Sequence, residues 1–278
     1  MVRLKLARIL FTLVLTLTIC SSSQAWGGLT ALRLSYEGLI RSEFEYDLGQ
    51  TTVLIALYGS TKSPLLFFNM HDDENTAVEA AMDILPESGG SLLSLEHSGE
   101  RLIQFSLNGI VYRFDPNRIF TGTGARLTLE RYGPFSIEAF EVVRAFAQHL
   151  VEHYGLMERP VIVTVHNNTE GTYSAESYLP GAEYAGDARE VYLHPAADPD
   201  DFFFVTDSRL FELLKEKGFN VVLQDNQRVT DDGSLSVLAG KAGIPYVNVE
   251  TQHEHLQEQK RMLRALYEVL PSVESPSE

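Results

Sequence analysis

Four short groups of residues along the chain have side chains of the types that carry out metal-assisted chemistry. His71-Asp-Asp-Glu74 comes first, and Asp115-Pro-Asn117-Arg118, His166 and Glu250 follow in that order. Two imidazoles and one carboxylate are suitable zinc ligands that leave a fourth position open for water, and a separate carboxylate can accept the proton of that water. The planar guanidinium of the Asn-Arg pair can bind an anion. Together these groups supply the parts needed for metal-assisted amide hydrolysis.

Apolar runs next to these groups predict where they lie in the fold. Residues 65–68 are typical of a short buried strand that leads to His71, and residues 161–165 and 246–249 lead in the same way to His166 and Glu250. The residues after Glu74 predict the capped start of a helix. Binding sites in open α/β sheets lie outside the carboxyl ends of the strands. We therefore expect three strand ends to bring these side chains to one edge of a sheet.

The rest of the pattern predicts a single α/β domain. Strands are predicted at residues 52–57, 65–68, 101–105, 110–114, 161–165, 190–193, 220–223 and 246–249, and helices at 76–85, 136–154, 208–217 and 252–270. Asn108-Gly109 marks a hairpin between the third and fourth strands, so the central sheet is expected to be mixed rather than purely parallel, with helices flanking it.

The ordered set of motifs resembles the zinc carboxypeptidase superfamily. The stretches His71-Asp-Asp-Glu74-Asn-Thr-Ala and Asp115-Pro-Asn-Arg-Ile-Phe120 are most similar to its succinylglutamate desuccinylase and aspartoacylase branch, which typically reads H-G-N-E-T-A or H-G-D-E-T-A and then D-L-N-R-x-F. The resemblance implies a zinc carboxypeptidase-like fold and one zinc ion held by His71, Glu74 and His166. It also implies that Glu250 is the general base and that Asn117 and Arg118 hold a free carboxylate of the substrate.

Three further features remain open at this level. The family carries another arginine that stabilises the oxyanion, and both Arg101 and Arg113 are candidates for it. Asp72 replaces the usual glycine, and we interpret it, with Asp73, as charge that complements the N-terminus of the following helix. The tyrosines that could close over a substrate are Tyr173, Tyr178 and Tyr184.

A rival metal motif lies in the middle of the chain. His149-Leu-Val-Glu-His153 matches the H-x-x-E-H pattern of inverted zinc peptidases. In a helix, however, both histidines fall opposite an apolar stripe that includes Val143 and Leu150. We therefore predict a largely solvent-facing helix surface at this motif and not the catalytic metal site.

The first residues predict export. A basic start, an apolar run over residues 9–19 and the small-residue signal Ser23-Gln-Ala25 are typical of a secretory signal peptide spanning residues 1–25. The run is shorter than the roughly 20 residues that a membrane span needs. We therefore expect a periplasmic or secreted protein without stable membrane insertion after cleavage. Lipid attachment at Cys20 is the less favoured alternative. Cleavage after Ala25 would remove the only cysteine and so exclude disulfides.

Cleavage also changes the charge and defines the remaining organisation. The chain has 22 basic and 38 acidic residues; the leader holds three of the basic ones and no acidic one, so the mature chain would have a net charge of −19. Nucleic-acid binding is excluded because it needs concentrated Lys and Arg. Residues 26–270 are predicted to form the hydrolase domain, and the polar residues 271–278 a disordered tail.

Export argues against intracellular amino-acid catabolism. The favoured function is therefore that of a metallocarboxypeptidase that cleaves next to the free carboxylate of a peptide, with cell-wall peptides among the candidates. A deacylase of N-acyl amino acids is the alternative, because the motif wording is nearest to that branch. A catalytically inactive binding scaffold is the second alternative, since the carboxylates of Asp72 and Asp73 could disturb the geometry of a neighbouring metal.

Overall fold

A computed structural model describes residues 29–35 and 39–274 of the chain. Within these ranges the strands are β1 (Leu29–Ser35), β2 (Leu39–Leu48), β3 (Thr51–Tyr58), β4 (Leu66–Asn69), β5 (Ser91–Glu96), β6 (Ile103–Leu107), β7 (Ile110–Phe114), β8 (Ile162–Asn168), β9 (Ala188–Tyr192), β10 (Phe202–Val205), β11 (Asn220–Gln224) and β12 (Tyr246–Gln252). The helices are α1 (Asn75–Ser88), α2 (Gly122–Tyr132), α3 (Ile137–His153), α4 (Ser208–Glu216), α5 (Leu235–Ala242) and α6 (Leu256–Glu274). The predicted leader, including Cys20, lies outside the described residues.

Ten of the strands form one mixed sheet. Their order is β1-β2-β3-β5-β4-β8-β12-β10-β11-β9. The central strands β5, β4, β8 and β12 are parallel, and β3 and β10 join them antiparallel on either side. The predicted α/β class, with a mixed sheet flanked by helices, is confirmed. Because β4, β8 and β12 run in the same direction, the residues that follow or end them meet at one edge of the sheet.

Each face of the sheet carries its own core. Along β8 the side chains of Val163 and Val165 pack in the core that includes α1, α4 and α6, whereas Ile162 packs in the core that includes α2, α3 and α5. Successive side chains of a strand point to opposite faces. His166 is therefore on the same face as Ile162, towards α2 and α3.

The predicted hairpin is present but does not belong to the main sheet. Asn108 and Gly109 both have positive φ, at 52° and 77°, as a two-residue turn of this kind requires. Strands β6 and β7 pair with each other in a separate two-stranded sheet, and Ser106 of β6 forms one isolated bridge with Gly49. The mixed character of the main sheet comes instead from its antiparallel outer strands, so the predicted reason for it was wrong. The hairpin is connected to the β2–β3 turn through the backbone bond from Gln50 N to Ser106 O, at 2.8 Å.

Several elements differ from their predicted bounds. The apolar patterns predicted neither β1, β2, β5 and β10 nor the helices α2 and α5. Helix α6 continues to Glu274, so residues 271–274 are helical and not part of a disordered tail. The buried side chains of Val269 and Leu270 anchor the last turns of this helix, which continues past Pro271. None of the helices in the described ranges is long and apolar enough to cross a membrane.

Candidate metal centre

Two neighbouring parallel strands position the three predicted ligands. His71 and Glu74 lie on the turn between β4 and α1, and His166 lies in β8, two residues before its end. The first turn of α1 is fixed to β8, because the side-chain oxygen of Asn167 accepts a hydrogen bond from Ala77 N at 2.8 Å. This bond supplies one of the partners that the free amides at a helix N-terminus need. It also holds the ligand turn against the strand that carries His166.

The three ligand side chains are buried and converge on one another. Glu74 Oε1 lies 2.8 Å from His71 Nδ1, and Glu74 Oε2 lies 2.8 Å from His166 Nδ1. The two Nδ1 atoms are 3.2 Å apart. All three ligand atoms lie within 4.8 Å of one another. Imidazole nitrogens and a carboxylate are donors that zinc accepts readily, so this donor set fits a single metal site.

Asp115 orients the first of the two imidazoles. Its Oδ1 lies 2.8 Å from His71 Nε2, while the other nitrogen of this ring faces Glu74. A carboxylate at Nε2 favours a proton on that atom and leaves Nδ1 free to bind a metal. By contrast, Nε2 of His166 is buried without a hydrogen-bond partner in the described part of the chain. The sequence pattern predicts no contact between Asp115 and His71, which lie 44 positions apart.

The charges of the site shift several pKa values. Burial disfavours the charged form of His71, but the carboxylates of Glu74 and Asp115 outweigh it and raise the pKa of His71 to about 9. Burial also acts against the charged carboxylates, but the neighbouring histidines lower the pKa of Glu74, and His71 lowers that of Asp115. For His166 burial dominates, and its pKa is lowered. At neutral pH a metal ion would therefore displace a proton from His71 on binding.

Replacement of Asp115 by Asn is expected to weaken zinc binding about 10- to 100-fold, since carboxylates that orient metal-binding histidines have effects of this size. The affinity can be measured by competition with a chromogenic chelator. Asp73→Asn removes the same charge between the two ligands on the same turn but leaves the bond to His71 Nε2 intact. We expect a much smaller loss there. Equal losses of zinc affinity in the two variants would mean that Asp115 acts only through its charge and not through its bond to His71.

Glu250 lies directly beside the ligand strand. It is paired in register with His166 across β12 and β8. The side chain is buried, and Oε2 accepts a hydrogen bond from Asn248 Nδ2 at 2.9 Å. Burial raises the pKa of Glu250 to about 8, the negative charge of Glu74 adds to this effect, and the bond from Asn248 opposes it. A carboxylate in this position is available for proton transfer.

The structure distinguishes the two candidate arginines. Arg101 Nη1 donates to Glu74 Oε1 at 2.9 Å, and its Nε lies 3.6 Å from Asp115 Oδ2. Arg113 instead donates from Nε to Gln104 Oε1 at 2.9 Å on the exposed face of the β6–β7 hairpin. Only Arg101 is therefore at the metal-type site.

Asn117 and Arg118 lie on a short 3₁₀ turn, Pro116–Arg118, that follows Asp115. Arg118 Nη1 donates to Asn117 O at 2.9 Å, and Arg118 Nε lies 3.3 Å from Asp232 Oδ2. Asn117 Oδ1 accepts a bond from Leu235 N at 3.3 Å. The described residues give Nη2 of Arg118 no hydrogen-bond partner, so this nitrogen is available to an anion.

Two glycines, Gly124 at the start of α2 and Gly233, allow the loop that carries Asp232 to lie directly against this turn. A Cβ atom on Gly124 would lie 2.1 Å from Gly233 Cα, and a Cβ atom on Gly233 would lie 2.3 Å from Arg118 O. Gly233 also has a φ of 85°, which side chains rarely allow. Phe120 N donates to Gly233 O at 2.9 Å. The two backbones therefore meet without room for a side chain.

The three predicted tyrosines gather into one aromatic cluster. The ring centroids of Tyr173 and Tyr184 are 6.1 Å apart, those of Tyr178 and Tyr184 are 5.6 Å apart, and the hydroxyls of Tyr173 and Tyr178 are 2.5 Å apart. Burial raises the pKa of Tyr173 and Tyr178, and the charges of Glu250 and Arg118 act on both. The cluster therefore lies near Glu250, the predicted base, and near Arg118, which is predicted to hold a carboxylate.

The rival helix motif does not gather metal ligands. His149 stacks on Phe44 at 5.0 Å between ring centroids and on His153 at 4.9 Å. Burial and the charge of His153 lower the pKa of His149 to about 4. The motif residues are absent from the two groups of metal-type side chains in the described ranges. His149 thus packs on strand β2, and it is only partly exposed.

The second of these groups consists of Asp198, Asp201 and His255. Asp201 uses both oxygens, accepting from Gln252 N at 2.9 Å and pairing with His255 Nδ1 at 2.8 Å. Asp198 Oδ1 accepts from Asp200 N at 3.0 Å. These bonds join the loop before β10 to the end of β12, and they account for the cluster without a metal.

Fold and site together define an α/β protein with one buried His-Glu-His donor set at the carboxyl edge of its parallel strands. No protein-family model and no curated protein matches the sequence. Among solved structures, the chain is similar to the murein-tripeptide amidase MpaA from Escherichia coli O157, with 15% identity over 84% of this chain and 93% of that chain and a TM-score of 0.44.

The chain is also similar to the cell shape determinant protein Csd4 from Helicobacter pylori, solved as a Gln46His variant and with a bound tripeptide. Both comparisons give 13% identity over 77% of this chain and a TM-score of 0.42. The chain spans about half of Csd4, 52% of its length. With TM-scores below 0.5, these likenesses carry no information about the chemistry of this chain.

Proposed function

We propose that the protein is an exported zinc-dependent amide hydrolase, a metallocarboxypeptidase that cleaves the bond next to a free carboxylate. Residues 1–25 are its leader and residues 26–270 its catalytic domain. The observation that carries the proposal is the convergence of the Nδ1 atoms of His71 and His166 on the carboxylate of Glu74, with Glu250 in register beside His166. A general base next to an N/O metal site is the arrangement that hydrolysis of an amide by water requires.

In this proposal His71, Glu74 and His166 hold the zinc ion, which when bound would polarise a carbonyl and make water more acidic. Glu250 accepts the proton of the attacking water and later transfers it to the leaving amine. Burial of Glu250 favours this role, since a raised pKa matches a carboxylate to proton transfer near neutral pH.

Arg101 stabilises negative charge on the carbonyl oxygen. Its Nη1 contacts the carboxylate of Glu74, which places a cationic donor directly beside the proposed metal site. A fixed cation at the place where negative charge develops is an effective way to lower a barrier of this kind. The position of Arg113 on the exposed face of the hairpin supports assigning this role to Arg101 alone.

Arg118 and Asn117 bind the carboxylate that sets the cleavage position. The free Nη2 of Arg118 can donate to one carboxylate oxygen, and a charge-assisted bond of this kind is strong. The protein's own Asp232 contacts the same guanidinium, at 3.3 Å from Nε, and is partly exposed. A substrate carboxylate would therefore share Arg118 with this partly exposed aspartate.

A substrate panel tests the proposal. The zinc-loaded protein should hydrolyse N-blocked dipeptides or cell-wall tripeptides with a free carboxyl terminus about 10- to 100-fold better in kcat/KM than their amidated forms, because a hydrogen bond to a charged group contributes about 1.5–3 kcal/mol. Arg118→Ala should raise KM for the free acids and remove this preference. Arg113→Ala is the matched control and should change neither.

The same panel separates the alternatives. It includes N-acyl amino acids, which present a carboxylate next to an amide in a smaller molecule. Hydrolysis confined to these compounds would show that the protein is a deacylase and not a carboxypeptidase. Zinc binding without hydrolysis of any substrate would leave a binding scaffold, and equal rates on acids and amides would remove Arg118 from substrate recognition.

A further inference from the structure

Asp72 lies between the metal-type ligands but directs its carboxylate to another loop. Its Oδ2 accepts three backbone hydrogen bonds, from His97 N at 2.7 Å, Ser98 N at 2.7 Å and Gly99 N at 2.6 Å. Successive amides that point at one anion form a concave binding arrangement, and a positive φ at one residue helps to build it. Gly99 has a φ of 72°. The loop between β5 and β6 is thus wrapped around a single oxygen atom of Asp72.

This loop also carries Arg101. Ser98, Gly99 and Glu100 are exposed, and the Arg101 side chain retains 44% of its accessible surface. Little packing therefore fixes the loop. Its contacts with the ligand turn are the three bonds to Asp72 and the bond from Arg101 Nη1 to Glu74 Oε1. Asp72 and Glu74 are two residues apart on the same turn. This turn therefore binds the loop on both sides of Glu100, through residues 97–99 on one side and Arg101 on the other.

The alternative role for Asp72, as a charge at the helix N-terminus, does not match its contacts. Helix α1 begins at Asn75, and no acidic residue occupies its first turn. The amide of Ala77 is bound by Asn167 and not by Asp72. Its Oδ2 accepts instead from the amides of residues 97–99, so the contacts of Asp72 give it a role that the sequence-based interpretation did not contain.

We propose that Asp72 is a positioning residue for Arg101: it docks residues 97–101 onto the turn that carries His71 and Glu74. The distance between the arginine and the metal ligands is then set by three backbone bonds and does not depend on the flexibility of an exposed loop. The docking of residues 97–101 follows from the contacts alone. Its consequence for hydrolysis rests on the proposed function.

The test measures the accessibility of Arg101 in the full-length purified protein. Phenylglyoxal modifies arginines, and peptide mass spectrometry reads out each site. In Asp72→Ala the rate of labelling of Arg101 should rise at least about fivefold, since the charge-assisted bonds that hold the loop are lost. Asp72→Asn keeps the shape but removes the charge, and should give a smaller rise. Asp73→Asn removes the same charge from the neighbouring position and should leave the rate unchanged.

Arg113 is the internal reference, because it is exposed on the hairpin in every variant. Unchanged labelling of Arg101 in both Asp72 variants overturns the proposal. An equal rise at Arg101 and Arg113 shows general loosening and also counts against it. Should Asp72→Ala not fold, the isosteric Asp72→Asn decides the result.

Kinetics on the best N-blocked dipeptide of the panel give a second readout. Asp72→Ala should lower kcat at least about tenfold with little change in KM, as expected for a contact made in the transition state. In the Arg101→Ala background the same substitution should have almost no further effect. Independent, additive losses would mean that Asp72 does not act through Arg101. If no substrate is hydrolysed, the proposed function fails, while the labelling result still decides the position of Arg101.

Discussion

His166→Ala is expected to lose its zinc, whereas His149→Ala is expected to keep one zinc per chain. The reason is the difference in their surroundings: His166 Nδ1 faces both of the other proposed ligands, at 2.8 Å from Glu74 Oε2 and 3.2 Å from His71 Nδ1. His149 is stacked against Phe44 of β2 and against His153. Two protein ligands alone do not form a closed three-ligand site.

Native mass spectrometry of the purified variants, loaded with zinc and exchanged into volatile buffer, measures this directly. Thermal unfolding of each variant confirms that it is folded. His149→Ala serves as the matched control, since it also removes one imidazole from a partly or fully buried position. Zinc retained in His166→Ala, or lost only in His149→Ala, would contradict the ligand set and favour the helix motif.

Glu250→Gln is expected to lower kcat by about 10³-fold while zinc remains bound, because loss of a positioned general base has effects of roughly 10²- to 10⁴-fold. The substitution keeps the size of the side chain and the oxygen that accepts from Asn248 Nδ2, so the local packing should persist. Only the ability to accept a proton is removed.

The measurement is turnover of the best substrate of the panel, with zinc content determined on the same sample. Glu254→Gln, four residues further along, removes an equal charge at an exposed position and should not change kcat. Retained activity in Glu250→Gln would remove this residue from the mechanism. Loss of zinc in the same variant would instead assign it to metal binding.

The order of apolar runs was sufficient to place His71, His166 and Glu250 at one edge of a sheet. This works because parallel strands carry their carboxyl ends to the same side, and the register of β8 and β12 indeed pairs His166 with Glu250. The choice between Arg101 and Arg113 was left open, although a signal was available. Arg113 stands between the buried Tyr112 and Phe114, and strand alternation turns it outward.

Other parts of the site depend on contacts that no local pattern contains. The bond of Asp115 to His71 joins residues 44 positions apart, and those of Asp72 to residues 97–99 cross between two loops. Strands β2 and β10 did carry a signal. Phe44, Tyr46 and Leu48 alternate with acidic residues in β2, and Phe202–Val205 is an apolar run like residues 65–68. Side-chain direction across separate elements is fixed by packing and cannot be read from spacing.

The contact between Gly124 and Gly233 limits how the surroundings of Arg118 can change by mutation. A side chain at Gly233 would force its loop away from the turn that bears Arg118, and one at Gly124 would force the same loop away from the first turn of α2. The positive charge of Arg118, which would attract an incoming carboxylate, and the negative charge of Asp232, which would repel it, are thus held at one spacing. Under the proposed function, exchanging Asp232 would tune carboxylate selectivity, but the spacing between its charge and that of Arg118 is set by two residues that have no side chain.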